Sequence, residues 1–83
     1  MSVSRKHFTY MATEFGTVFR DIDSRFEHGS PMHEVACDYV REAMFALEVM
    51  FKKENPQFQR DRFEDWVADV RYGRRDYTGR KVA

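Results

Sequence analysis

Along the first third of the chain, Phe8, Met11, Ala12, Phe15, Val18, Phe19, Ile22 and Phe26 recur at three- and four-residue steps. Such spacing lays one narrow apolar stripe on a helix, here predicted over about 4–27. Ser4 is placed to cap it ahead of Arg5. At 1.5 Å per residue the helix reaches roughly 33 Å, the span of a small domain. Gly16 lies beside the stripe and costs about 1 kcal/mol of helix propensity relative to Ala. It leaves two readings open, a close approach by another helix or a kink. The run Glu27-His28-Gly29-Ser30 ends the pattern, with Gly29 suited to a C-terminal cap.

A second helix is predicted over about 31–54, opened by Ser30 as N-cap and Pro31 at the first helical position. Met32, Val35, Ala36, Tyr39, Val40, Ala43, Met44, Leu47, Met50 and Phe51 form a broader stripe than that of the first helix. Lys52 and Lys53 occupy the last turn, where the helix dipole favours cations. Phe45 and Val49 fall outside the stripe, near Asp38 and Glu42, so this helix is expected to touch something on two sides. Either a third helix or another chain covers that second patch. The helices flanking it favour cover from within the chain.

Pro56 lacks an amide donor and pushes Asn55 out of helical backbone space, so the second helix must stop there. Gln59 then stands as N-cap of a third helix over about 60–71, with Phe58 just before it and Phe63 at its fourth position. That is the spacing of a hydrophobic staple, which fixes the entry angle of the chain. Phe63, Trp66, Val67 and Val70 share one face, opposite Asp61, Glu64, Asp65 and Asp69. The fold class that follows is all-α: a long antiparallel helical hairpin with a shorter third helix packed across it. Residues 1–70 read as a single helical domain and 71–83 as a basic flexible tail without regular structure.

Composition supports a globular chain: 83 residues, 42% hydrophobic and 34% charged, with eight Phe, four Tyr and one Trp as large burial units. No apolar run approaches the roughly 20 residues of a membrane span. The opening Met-Ser-Val-Ser-Arg-Lys-His lacks the apolar core of a secretory signal. A lone cysteine, Cys37, excludes an internal disulfide. A cytoplasmic location is expected. The formal net charge is zero, but residues 71–83 hold Arg71, Arg74, Arg75, Arg80 and Lys81 against Asp76 alone. The acidic body therefore balances a basic end, which either folds back on that body or meets an anionic partner. With Tyr72 and Tyr77 available for stacking, the end is a candidate nucleic-acid contact. The acidic face of the third helix argues against docking in a major groove.

Candidate chemistry is sparse. His33 and Cys37 stand four apart on one helix face, with His28 near in sequence, but a structural zinc site needs four ligands and no paired cysteine motif accompanies them. Neither an oxyanion cradle nor a phosphate-binding glycine loop is present. Asp21 with Asp23, and Asp61 with Glu64 and Asp65, fit a solvated helix face. No catalytic residue, metal or cofactor is assigned.

The opening Ser4-Arg5-Lys6-His7-Phe8, together with Asn55-Pro56-Gln57-Phe58 followed by Arg60, Arg62 and Phe63, resembles small helical proteins encoded by actinobacterial phages and prophages. In that group a Ser/Thr-Arg-Lys-His-Phe start precedes two helices and an Asn-Pro-x-Phe-Asp-x-x-x-Phe segment. The chain departs from it at Gln59, where Asp is the stronger N-cap, and in its long basic end. The resemblance implies a phage accessory protein with no assigned enzymatic activity. The expected function is thus a non-enzymatic module that binds and modulates a host or phage protein, using Phe45, Val49, Asp38 and Glu42. The alternatives are a nucleic-acid-associated protein using Arg71, Arg74, Arg75, Arg80, Lys81, Tyr72 and Tyr77, and a small structural phage component in which the second helix pairs with its symmetry mate.

Overall fold

Three helices, α1 (Arg5–Arg25), α2 (Pro31–Glu54) and α3 (Arg60–Arg71), follow one another along the chain in a computed structural model that describes residues 4–82. Residues 1–3 of the expected domain and Ala83 of the expected tail lie outside the described residues. The helix bounds agree with the sequence pattern to within two residues, and α1 and α2 make the antiparallel hairpin. Among the described residues no helix is long and apolar enough to cross a membrane.

The punctuation works largely as the sequence implies. The Ser30 hydroxyl accepts from the His33 N–H at 3.2 Å, with Pro31 at the first helical position. At the start of α1 the Ser4 N–H donates to His7 Nδ1 at 3.1 Å. Two details differ. Phe26, rather than Gly29, caps the end of α1, its N–H donating to the Ile22 carbonyl, and Gly29 lies inside the loop. Gln59 sits at the N-cap of α3 without a capping bond from its side chain. The loop before it is held otherwise: Lys52 Nζ donates to the carbonyls of Pro56 at 2.7 Å and Phe58 at 3.2 Å.

Phe58 is buried against Phe63, with ring centroids 5.7 Å apart and edge to face, which is the staple contact. Both rings join Phe51, and Phe8 meets Phe51 and Phe58 at 4.8 Å. The four rings bring α1, α2, α3 and the loop into one aromatic knot. Edge-to-face pairs add about 0.5–1.5 kcal/mol each beyond their buried area.

Helices α1 and α3 pack most closely. Gly16 explains why. A Cβ built there would lie 2.5 Å from the Val70 Cβ and 2.7 Å from the Val67 carbonyl oxygen, so only glycine lets α3 settle this deep. Of the two readings of Gly16, close helix approach is the one observed. The seam places Val67 and Val70 against α1, with Val70 fully buried.

Two expectations need correction. The broad stripe of α2 divides in two: Phe51 is buried and Ala36, Val40, Met44 and Leu47 pack on the core, joined by Cys37 from outside the stripe, whereas Met32, Val35, Tyr39, Ala43 and Met50 are exposed. Apolar residues spread round most of a helix cannot all face one core. The chain beyond α3 is also not a flexible tail. Residues 74–82 turn back in a short hairpin, with an antiparallel bridge between Arg75 and Lys81 and a Val82 N–H bond to the Arg74 carbonyl. The Asp76 carboxylate holds the turn by accepting from the Thr78 N–H, the Thr78 hydroxyl and the Arg80 N–H. Arg75 lies over the Trp66 ring at 3.5 Å. Gly79, at a positive φ of 87°, fits where a Cβ would come within 2.9 Å of Thr13 Oγ1 and 3.1 Å of Trp66. Polar bonds and cation–π contacts, not apolar periodicity, fold this segment.

Candidate interaction surface

The outer face of α2 carries the side chains singled out in the sequence. Phe45 is 52% exposed and Val49 41% exposed, and Asp38 and Glu42 beside them are open to solvent. Helical spacing by fours and a three puts all of them on the face turned from the core. Asp38 pairs with Arg41 at 3.0 Å. The third helix does not cover the patch, contrary to the favoured expectation, because its apolar face is taken up by α1 across Gly16. From α3, Arg60 reaches toward Phe45, its guanidinium 5.1 Å from the ring centroid. Met32, Val35, Tyr39 and Met50 are exposed elsewhere on the same helix.

Between α2 and α3 the looser packing leaves a groove of about 410 Å³ lined in part by Phe45, Arg41, Arg60 and Tyr72. Glu48 also lines it, and this glutamate was not marked by the sequence reading. It is 3% exposed, with Arg60 Nε at 3.3 Å, while Arg60 pairs more closely with Glu64 at 2.8 Å. Burial, and then the neighbouring Glu64 carboxylate, push the Glu48 carboxyl up to about 7. Glu64, next to Glu48 and paired with Arg60, is held below its ordinary value. A signal existed: Met44, Glu48 and Phe51 follow one another at helical spacing on the inward arc.

A second polar cluster joins all three helices. Asp23 accepts from Arg71 Nε at 2.8 Å and Nη2 at 2.9 Å, a two-pronged pair, and from His33 Nε2 at 2.7 Å. The Gly29 N–H donates to His33 Nδ1, which assigns the Nε2–H tautomer to a neutral ring. Bonding to Arg71 holds the Asp23 carboxyl down at about 2. Cys37 Sγ lies 3.7 Å from His33 Nε2 and 3.8 Å from Arg71 Nη2. Asp23, His28 and His33 place donor atoms within 4.8 Å of one another, but the guanidinium of Arg71 already supplies the cation of this cluster. Asp23 is therefore no member of a solvated face, whereas Asp21, paired with Arg25, is.

The basic residues of the C-terminal segment are largely occupied. Arg71 is spent on Asp23, and Arg74 and Arg75 share Asp69 at 2.7 and 3.2 Å. Among the described residues Arg80 and Lys81 make no ion pair and are exposed. Tyr72 lies under Arg71 and Arg74, and Tyr77 under Arg20, which leaves both rings only partly offered to a base. Comparison with protein-family models, curated proteins and solved structures returned no match for this chain.

Proposed function

We propose that the protein is a non-enzymatic interaction module, a phage-encoded accessory protein that docks on a host or phage protein through the outer face of α2 and modulates it. The observation carrying this reading is the exposure of Phe45 and Val49 on a helix whose opposite side packs on the core. Exposed apolar strips rimmed by charge mark interaction sites, and aromatic residues supply much of the binding energy there. Asp38 and Glu42 give the rim an acidic edge suited to a partner with basic residues. The phage context rests on the resemblance carried by the two ends of the chain. A nucleic-acid role ranks lower because three of the five C-terminal cations are paired within the chain.

The test is affinity capture from host lysate, with and without nuclease, by the native chain and by a Phe45→Ser/Val49→Ser variant. The expected result is a nuclease-resistant partner retained by the native chain and lost by a variant with native helicity. Capture that survives the substitutions, or vanishes with nuclease, removes the α2 face from the account.

A further inference from the structure

A separate cavity of about 330 Å³ opens between the first turns of α1, the 55–59 loop and the first half of α3. Its volume falls at the small end of the roughly 300–1,000 Å³ typical of ligand pockets. The apolar wall is built from Phe8, Phe58, Phe63 and Trp66, and no lining residue comes from α2. The back of Trp66 is fixed by Arg75 and by its Nε1–H bond to Thr13 Oγ1 at 2.9 Å, so the wall is preformed.

The charge around this cavity is anomalous for the molecule. Arg5 and Arg62 line it, no Asp or Glu does, and the rest of the body carries an excess of acid. Elsewhere Arg25, Arg41, Arg60, Arg71, Arg74 and Arg75 find carboxylates, and Arg20 lies over the Tyr77 ring, leaving Arg80 as the other arginine without a partner among the described residues. Among the described residues Arg5 and Arg62 find none, and both are exposed. The fold thus brings two unpaired guanidinium groups from opposite ends of the chain to one aromatic cleft. A guanidinium fork matches a carboxylate in shape and charge.

We propose that this cavity binds a small amphipathic carboxylate, its apolar body against Phe8, Phe58, Phe63 and Trp66 and its head group held by Arg5 and Arg62. The site is independent of the α2 face and of the function proposed for it.

Three isosteric probes test it on the full chain: 1-naphthylacetate, 2-(1-naphthyl)ethanol and 2-(1-naphthyl)ethylamine. The indole N–H resonance of Trp66, the one tryptophan, reports occupancy. The acetate should shift that resonance saturably and bind about ten-fold more tightly than the alcohol, with the ammonium weakest, as charge-assisted hydrogen bonds require. In Arg5→Gln/Arg62→Gln the preference for the anion should disappear while the alcohol binds as before. Each single variant should lose part of the preference, so the result does not hang on the double variant alone. Equal binding of all three probes, no saturable shift with any, or an anion preference that survives the double variant overturns the proposal.

Discussion

Asp23 and Glu48 are both carboxylates held within the helical body, and they are opposites. Asp23 accepts three hydrogen bonds from Arg71 and His33 and is held ionised far into acid. Glu48 is more deeply buried, has one cation partner at 3.3 Å that lies closer to Glu64, and faces a second carboxylate. Burial alone therefore does not set the state of a carboxyl here; the donors that reach it do. The contrast follows from packing. Where α1 and α3 close tightly, their ends meet in a complete polar cluster, and where α2 and α3 part, Glu48 is left with little.

The sharpest way to break the contrast is Asp23→Asn, which strands Arg71 and removes the anion His33 donates to. Removing one partner of a largely buried pair costs about 3 kcal/mol or more, a fall in melting temperature of at least 10 °C or so for a chain this size. An unchanged melt would show that solvent already satisfies Arg71. The wild-type carboxyl is held below its unfolded value, so its contribution is present above about pH 4 and fades as the pH falls toward about 2.

Gly16→Ala attacks the reason for the asymmetry. The added methyl meets Val70 and the Val67 backbone, and overpacking of this kind costs about 1–3 kcal/mol, outweighing the roughly 1 kcal/mol gained in helix propensity. A melt at or above that of the native chain would mean that α3 can shift aside without loss.

Glu48→Gln works in the other direction. The folded chain raises this carboxyl above its unfolded value, so its favourable contribution is full below about pH 4.5 and is lost as the pH rises from there through about 7. The amide should be nearly neutral at about pH 4 and stabilising by on the order of 2 kcal/mol at about pH 9, flattening the fall in stability between about pH 4.5 and 7. Equal effects at both values would show that Glu48 is already ionised in mild acid. Smallest of all is Phe45→Ser/Val49→Ser, expected to change stability by under about 1 kcal/mol because both residues are exposed. A large loss in chemical denaturation would place them in the core instead of on a docking face.

What the sequence made legible was whatever has a local cause. Pro56 and the Phe58–Phe63 spacing set the start of α3, and Ser30-Pro31 set the start of α2. What it hid was long-range and polar. Nothing in the spacing of Asp23 and Arg71 joins them, since salt bridges between distant elements leave no periodic trace. The C-terminal hairpin escaped notice for the same reason: Asp76, Arg75 and Gly79 act through single bonds and one close approach. On α2, the exposed Tyr39 and Met50 looked like core because a helix with apolar residues round most of its circumference does not declare which arc faces inward. Phe45 and Val49 were distinguishable only because they stood apart from that arc.

The glycine seam also bears on the order of events during synthesis. The best partner of the first helix is the last one, and until α3 has left the ribosome α1 has only α2 and an unfinished aromatic knot to lean on. Closing that long loop delays the decisive contact. The nascent hairpin therefore exposes Phe15, whose ring partner Phe63 lies on α3, for longer than a chain with sequential packing would.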